Sequence, residues 1–299
     1  MFWLYLTLGA QFFNSLAALL DKVLVSKRFP FAGVLTFWTA VANLFGVFFV
    51  FFDFNFQADS FLILISLLSG VSFSIALQFF YTAMKTGEAT HIAPLSGGVL
   101  PIFSIVFSYF ILSERLSSYE WVAVIFLILG ALVISFEKSR EHNGWHIGML
   151  WAIIAGMFFS LSYVLGRYSF LQDTFSTGFV WARIGSFLAV LPLLFVKNIR
   201  QNLFSKAKSN SEKNKSFVLL VINKTSSAVY FVGINYAISL SSATIVNALS
   251  GLQYGILFVM VLLSTKFFPR YFKEKFSFSE IILQIIAIIL ISIGLVLLV

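Results

Sequence analysis

The chain has 299 residues, 60% of them hydrophobic and 11% charged, with a mean hydropathy of +0.96 and a formal net charge of +8. A soluble domain carries about a quarter charged residues, so this composition excludes a water-soluble globular fold and calls for lipid as the solvent. With no cysteine, disulfides, zinc–thiolate sites and thiol catalysis are excluded as well.

A membrane-crossing helix needs about 20 apolar residues. Ten segments of that kind follow one another at roughly 3–21, 33–52, 61–84, 89–112, 119–136, 146–166, 175–196, 216–239, 243–265 and 278–298. The runs are continuous and lack the alternation of a barrel strand, so the expected fold is all-α, with ten transmembrane helices. The 38 phenylalanines suit lipid-facing helix surfaces. The first segment has neither a basic leader nor a small-residue cleavage site, so it reads as a retained helix. Between the seventh and eighth segments, residues 197–215 are rich in Lys, Ser and Asn, and read as a mobile polar loop with no apolar face to pack.

The basic residues set an orientation. Of the 20 Lys and Arg, 16 fall in loops after the odd-numbered segments. Arg115 and Arg167 lie on the opposite side, and Arg183 and Lys224 fall inside spans. Cytoplasmic loops collect Lys and Arg, so the loops after odd-numbered helices are expected in the cytoplasm and both termini outside, in a plasma (inner) membrane. The same bias explains the net charge better than nucleic-acid binding does.

Residues 83–97, AMKTGEATHIAPLSG, and 237–251, AISLSSATIVNALSG, match at a constant offset of 154. Ala83/Ala237, Ala89/Ala243, Thr90/Thr244, Leu95/Leu249, Ser96/Ser250 and Gly97/Gly251 are identical pairs. Two five-helix repeats are therefore expected, 1–140 and 141–299. An odd number of spans per repeat inverts the second copy, which is the architecture of many alternating-access carriers.

Tyr81 to Ala89, then Ala93-Pro94-Leu95-Ser96 and Pro101-Ile102-Phe103, resemble the helix three–four signature of the drug/metabolite transporter superfamily, and more closely its EamA-type ten-helix carriers. Leu112-Ser113-Glu114-Arg115-Leu116-Ser117 is similar to that family's short "GERLS" loop, with Ser113 in place of the usual Gly. The second half departs from the pattern: Ala248 and Gly255 stand where the first half has Pro94 and Pro101. The resemblance implies a carrier that exports amino acids or other small metabolites, or that carries sugar–nucleotides, with helices one, three, four, six, eight and nine around the pathway.

Polar groups inside lipid are costly unless they face a cavity or a partner helix. The candidates for solute contact are Asn14, Gln78, Tyr81, His91, Trp181, Arg183, Asn235, Tyr236, Asn247, Gln253 and Tyr254; any one of them can instead join helices by hydrogen bonds. Arg183 lies about 12 Å into the seventh span at 1.5 Å per residue, where it either snorkels or anchors a carboxylate or phosphate. Lys224 is expected to snorkel. Pro94 and Pro101, with Gly97 and Gly98 between them, form a candidate hinge. The 12 Asp and Glu fall in loops or at helix ends, which favours a neutral, zwitterionic or anionic solute over a lipophilic cation. The rival readings are a non-transporting membrane subunit and a flippase for lipid-linked groups. An enzyme is not expected, because no deep carboxylate stands with the three histidines. No metal, cofactor or nucleotide-binding loop is expected either.

Overall fold

The computed structural model describes residues 2–27, 31–86, 89–135, 147–203, 210–267 and a set of helical positions between 282 and 297. The elements among the described residues are all helical, with no strand. In hydrocarbon the backbone must satisfy its own hydrogen bonds, and long apolar runs do so as helices.

The first half holds α1 (Phe2–Lys27), α2 (Ala32–Asn43), α3 (Ser60–Thr86), α4 (Ala89–Phe107) and α5 (Ser118–Ser135). A 3-10 turn, Leu44–Phe51, continues α2, and a π-helical turn, Ser108–Leu112, continues α4. The second half holds α6 (Ile147–Gln172), α7 (Phe175–Val190), α8 (Lys197–Leu203), α9 (Asn210–Leu240), α10 (Ala243–Ala248) and α11 (Gly251–Phe267). Six helical stretches among the described residues are long and apolar enough to cross a membrane: Phe2–Asp21, Ala32–Phe51, Ser60–Thr86, Leu95–Leu112, Ile147–Gln172 and Phe175–Phe195.

Local sequence explains several boundaries. Thr174 caps α7 by accepting from the Thr177 backbone N–H at 3.2 Å. Ser117 and Glu120 form a reciprocal capping box at the start of α5: the Ser117 N–H donates to Glu120 Oε2 at 2.7 Å, and the Glu120 N–H to Ser117 Oγ at 3.4 Å. Ser113 ends the π turn in the left-handed region, at φ 54°. That conformation is one glycine adopts without steric cost.

Small residues let α3 pack closely on its neighbours. A Cβ on Gly70 would sit 1.8 Å from the Ala182 carbonyl oxygen, and one on Gly185 would sit 2.2 Å from that of Leu67, so α3 and α7 meet backbone to backbone. Serines fasten α3 to both neighbours: Ser74 donates to the Ser186 carbonyl of α7 at 2.8 Å, while toward α6 Ser69 donates to the Ser162 carbonyl at 2.8 Å and Ser66 to Ser169 Oγ at 2.9 Å. Large apolar side chains such as Phe45, Phe51, Phe110 and Tyr119 point outward, as a lipid solvent requires.

Two expectations need correction. Residues 197–203 are not a featureless loop. They form α8, whose buried Ile199 and Leu203 pack with Val34. The apolar pair recurs every fourth residue, a spacing hidden among the surrounding polar residues. The ninth segment, 243–265, is not one helix either: it breaks at Leu249 and Ser250 into α10 and α11. The Gly97 carbonyl accepts from Ser250 Oγ at 3.2 Å at this break, so cross-helix bonding compensates for the interrupted ladder. The expected span 278–298 falls mostly outside the described residues.

Candidate functional site

A cavity of about 190 Å³ lies between the two halves, toward the end of the bundle where α1 and α3 finish. α1, α2, α3 and α4 contribute from the first half, and α6, α9 and α11 from the second. Most of the wall is aromatic or aliphatic, with Phe73, Phe80, Phe159 and Phe231 prominent. Phe73 is the centre of this aromatic packing, 4.5 Å from Phe231 and 5.5 Å from Phe159 between ring centroids.

Polar groups gather in two places. On one side Asn14 Nδ2 donates to Gln253 Oε1 at 2.8 Å, while Ser15 Oγ donates to the Gln253 carbonyl at 2.8 Å. Ser96, Gly97 and Ser250 line the wall beside them. On the other side Tyr81 and Thr39 share a hydrogen bond of 3.2 Å, with Asp21 and Asn43 also in the lining. The buried Asn43 Nδ2 has no hydrogen-bond partner among the described residues. Tyr163 and Tyr230 meet through their hydroxyls at 3.3 Å and complete the polar rim.

Of the residues singled out from sequence, Asn14, Tyr81, Gln253 and Gly97 line this cavity. Gln78 instead accepts from Thr36 at 2.9 Å, joining α3 to α2. Asn235 donates to the Phe231 carbonyl of its own helix at 2.8 Å. Asn247 donates to Ser104 Oγ at 2.8 Å, tying α10 to α4. Tyr236 is exposed and packs edge-on against Phe175, and Trp181 is half-buried with its Nε1 unpartnered among the described residues. Gly98 is buried, and α4 runs unbroken through residues 94–101. The side chains of His91, Pro94 and Tyr254 lie outside the described residues.

Arg183 does not snorkel. It is 2% exposed and sits in a cage of three rings, 4.0 Å from the Phe231 centroid, 4.8 Å from Phe179 and 5.6 Å from Phe73. Its Nε and Nη1 have no hydrogen-bond partner among the described residues. Gly46 makes room for its stem: a Cβ there would lie 2.8 Å from Arg183 Cγ. Phe73 and Phe231 also line the cavity, whose lining does not include Arg183, so the guanidinium stands beside two residues of the wall. Cation–π contact offsets part of its desolvation.

Lys224 does not reach for the membrane surface. Its ammonium donates to Thr39 Oγ1 at 2.9 Å, inside the bundle. Asp21, which sequence places at a helix end, lines the cavity and accepts from Asn223 Nδ2 at 3.1 Å. Asp21, Thr39 and Asn43 were therefore missed as cavity residues. A polar residue in mid-span was the available signal for Thr39 and Asn43. For Asp21 only the tertiary packing of α1 against α9 reveals the role.

At the far end of the bundle a polar lock joins the loop after α4 to α6 and the α9–α10 corner. Arg167 Nη1 donates to the Ile238 carbonyl at 2.8 Å and its Nε lies 3.7 Å from Glu114 Oε1, while Ser242 donates to Glu114 Oε2 at 2.7 Å. Beneath this lock, Thr244 donates to Ser108 at 3.2 Å.

The described residues thus form a helical bundle with apolar spans and a cavity lined by helices from both parts of the chain. Residues 1–136 match the EamA-like transporter family. Over those residues the chain is similar to a family of transporters, which agrees with the apolar helices described above. No curated protein matches the chain. Among solved structures, one described as "Crystal structure of protein" has a TM-score of 0.65 at 15% identity, covering 97% of this chain and 94% of its own. At that identity the likeness concerns the fold alone.

Proposed function

We propose that this protein moves a small amphiphilic solute, a metabolite or amino acid, across a plasma (inner) membrane in the export direction. The observation that carries the reading is the cavity, with its aromatic walls and its polar groups drawn from both halves. The walls suit an apolar or ring-bearing body, and the polar groups suit a neutral, zwitterionic or anionic head. Transport proceeds by alternating access between inverted five-helix repeats, 1–140 and 141–299, as two halves of ten helices. The Ser250-to-Gly97 hydrogen bond supports this: it brings the matched Ser-Gly segments, 96–97 and 250–251, together. The basic end faces the cytoplasm and receives the solute, while the Glu114–Arg167 lock holds the outer end shut.

Arg183 gives the cavity a positive field through Phe73 and Phe231. It contacts the solute when those rings part, which favours an anionic or zwitterionic head. The test is thermal stabilisation of the purified protein by amino acids, organic anions, sugar–nucleotides and lipophilic cations, since a ligand of the native state raises its stability by mass action. Stabilisation by an anionic or zwitterionic solute, weakened in Arg183→Ala, is the expected result. Stabilisation by lipophilic cations alone overturns the solute class. No response across the panel favours a non-transporting subunit or a flippase for lipid-linked groups.

A further inference from the structure

Asp21 and Lys224 are two charges that the reading above leaves without a task. They are contributed by α1 and α9, one from each half. Asp21 lines the cavity, held through one carboxylate oxygen by Asn223 at 3.1 Å; Asn223 is itself fixed by donating to the Ala17 carbonyl at 2.9 Å. Lys224, the next residue on α9, stands behind Thr39, 2.9 Å from its hydroxyl and within electrostatic reach of Asp21. Thr39 lines the cavity and bonds Tyr81, so the ammonium is one hydroxyl away from the open space. The elements around the pair present Tyr81 from α3, Thr39 and Asn43 from α2, and Tyr163 and Tyr230 from α6 and α9. Lys85 lies one turn beyond Tyr81, toward the basic end. Among the described residues that line the cavity, Asp21 is the charged one.

Charges in the wall of a membrane bundle are retained for pairing or for function. This pair is neutral as it stands, and its accessible member is the anion, which repels a negatively charged solute. A proton taken from water onto the Asp21 carboxylate forms the neutral acid and breaks that balance. Lys224 is then an uncompensated ammonium beside the cavity, and an entering anion restores neutrality.

We propose that Asp21 and Lys224 form a proton-gated subsite for the anionic group of an amphiphilic solute, a carboxylate, sulfonate or phosphate. Proton and anion enter together, one positive and one negative charge. On release of the anion the carboxyl group returns its proton to water and the Asp21 carboxylate again balances the Lys224 charge. Binding of each favours the other by the same factor. The inference rests on the carrier reading and narrows its solute to an anion with an apolar body.

Benzenesulfonate is a suitable probe because its charge is constant between pH 5.5 and 8, with benzenesulfonamide as the neutral control. Binding to the full chain in detergent is measured by calorimetry across that range. In the wild type, affinity for the sulfonate rises on acidification, by at most about tenfold per pH unit for one linked proton, with proton uptake visible in the buffer dependence of the heat. Asp21→Asn, which mimics the protonated acid, binds the sulfonate at all pH values without that slope. Lys224→Met loses binding by at least about tenfold, the scale of one charge-assisted contact, and Lys224→Arg retains it. Arg183→Ala keeps the pH slope. A wild-type slope persisting in Asp21→Asn, or unchanged affinity in Lys224→Met, overturns the proposal. So does sulfonamide binding without sulfonate binding, which leaves the carrier reading in place. Loss of sulfonate binding in Arg183→Ala with none in Lys224→Met transfers the anion site to Arg183.

Discussion

Ser113 shows how one residue records a backbone demand. The sequence has Ser where the related loop carries Gly, and the structure puts that residue at φ 54°. A side chain in the left-handed region costs about 1 kcal/mol, so Ser113→Gly is expected to stabilise the protein by roughly 0.5–1 kcal/mol, read as a rise in thermal midpoint in detergent. Gly70 and Gly185 make the opposite point. At each a Cβ would run into backbone, not into a flexible side chain. Gly70→Ala is expected to destabilise by about 2 kcal/mol, within the range for overpacking, and Gly70→Leu to abolish monodisperse protein in size-exclusion chromatography. Neither glycine stood out in the sequence, because 18 glycines look alike until a neighbouring helix is placed against them.

Helices assign the polar residues their work. Asn235 and Asn247 read from sequence as equals of Asn14 and Gln253. Only the rotation of each helix separates the first pair, bonded within the bundle, from the second, which faces the cavity. The GERLS-like loop similarly acquires two functions. Ser117 caps α5, and Glu114 draws α6 and the α9–α10 corner together through Arg167 and Ser242. A chain without cysteine allows that lock to be tested directly. A thiol introduced as Ser108→Cys, a position 2% exposed beneath the lock, is expected to react slowly with a membrane-impermeant maleimide. Adding Arg167→Met is expected to speed the reaction roughly fivefold, the population change that about 1 kcal/mol produces. An unchanged rate places the barrier elsewhere, at the aromatic packing around Phe73, Phe159 and Phe231.

For the whole molecule, the proposed orientation follows from where Lys and Arg fall, and single cysteines test it in intact cells. Ser117→Cys is expected to label from outside, whereas Ser205→Cys labels only after permeabilisation; the reverse pattern inverts the carrier and the direction assigned to its cavity. Membrane residence, helical class and the likeness of the first half to EamA-like transporters were legible in the chain alone. Hydrophobic run length, the lack of cysteine and a short polar signature are one-dimensional properties, and the lipid solvent translates them into structure with little freedom. The cage of Arg183, the inward turn of Lys224, the place of Asp21 in the cavity wall and the break at Leu249–Ser250 were decided only by tertiary structure. Each depends on which helix faces which. A charge near the end of an apolar run reads as a surface group until a second helix brings its partner from two hundred residues away, as Asn223 does for Asp21.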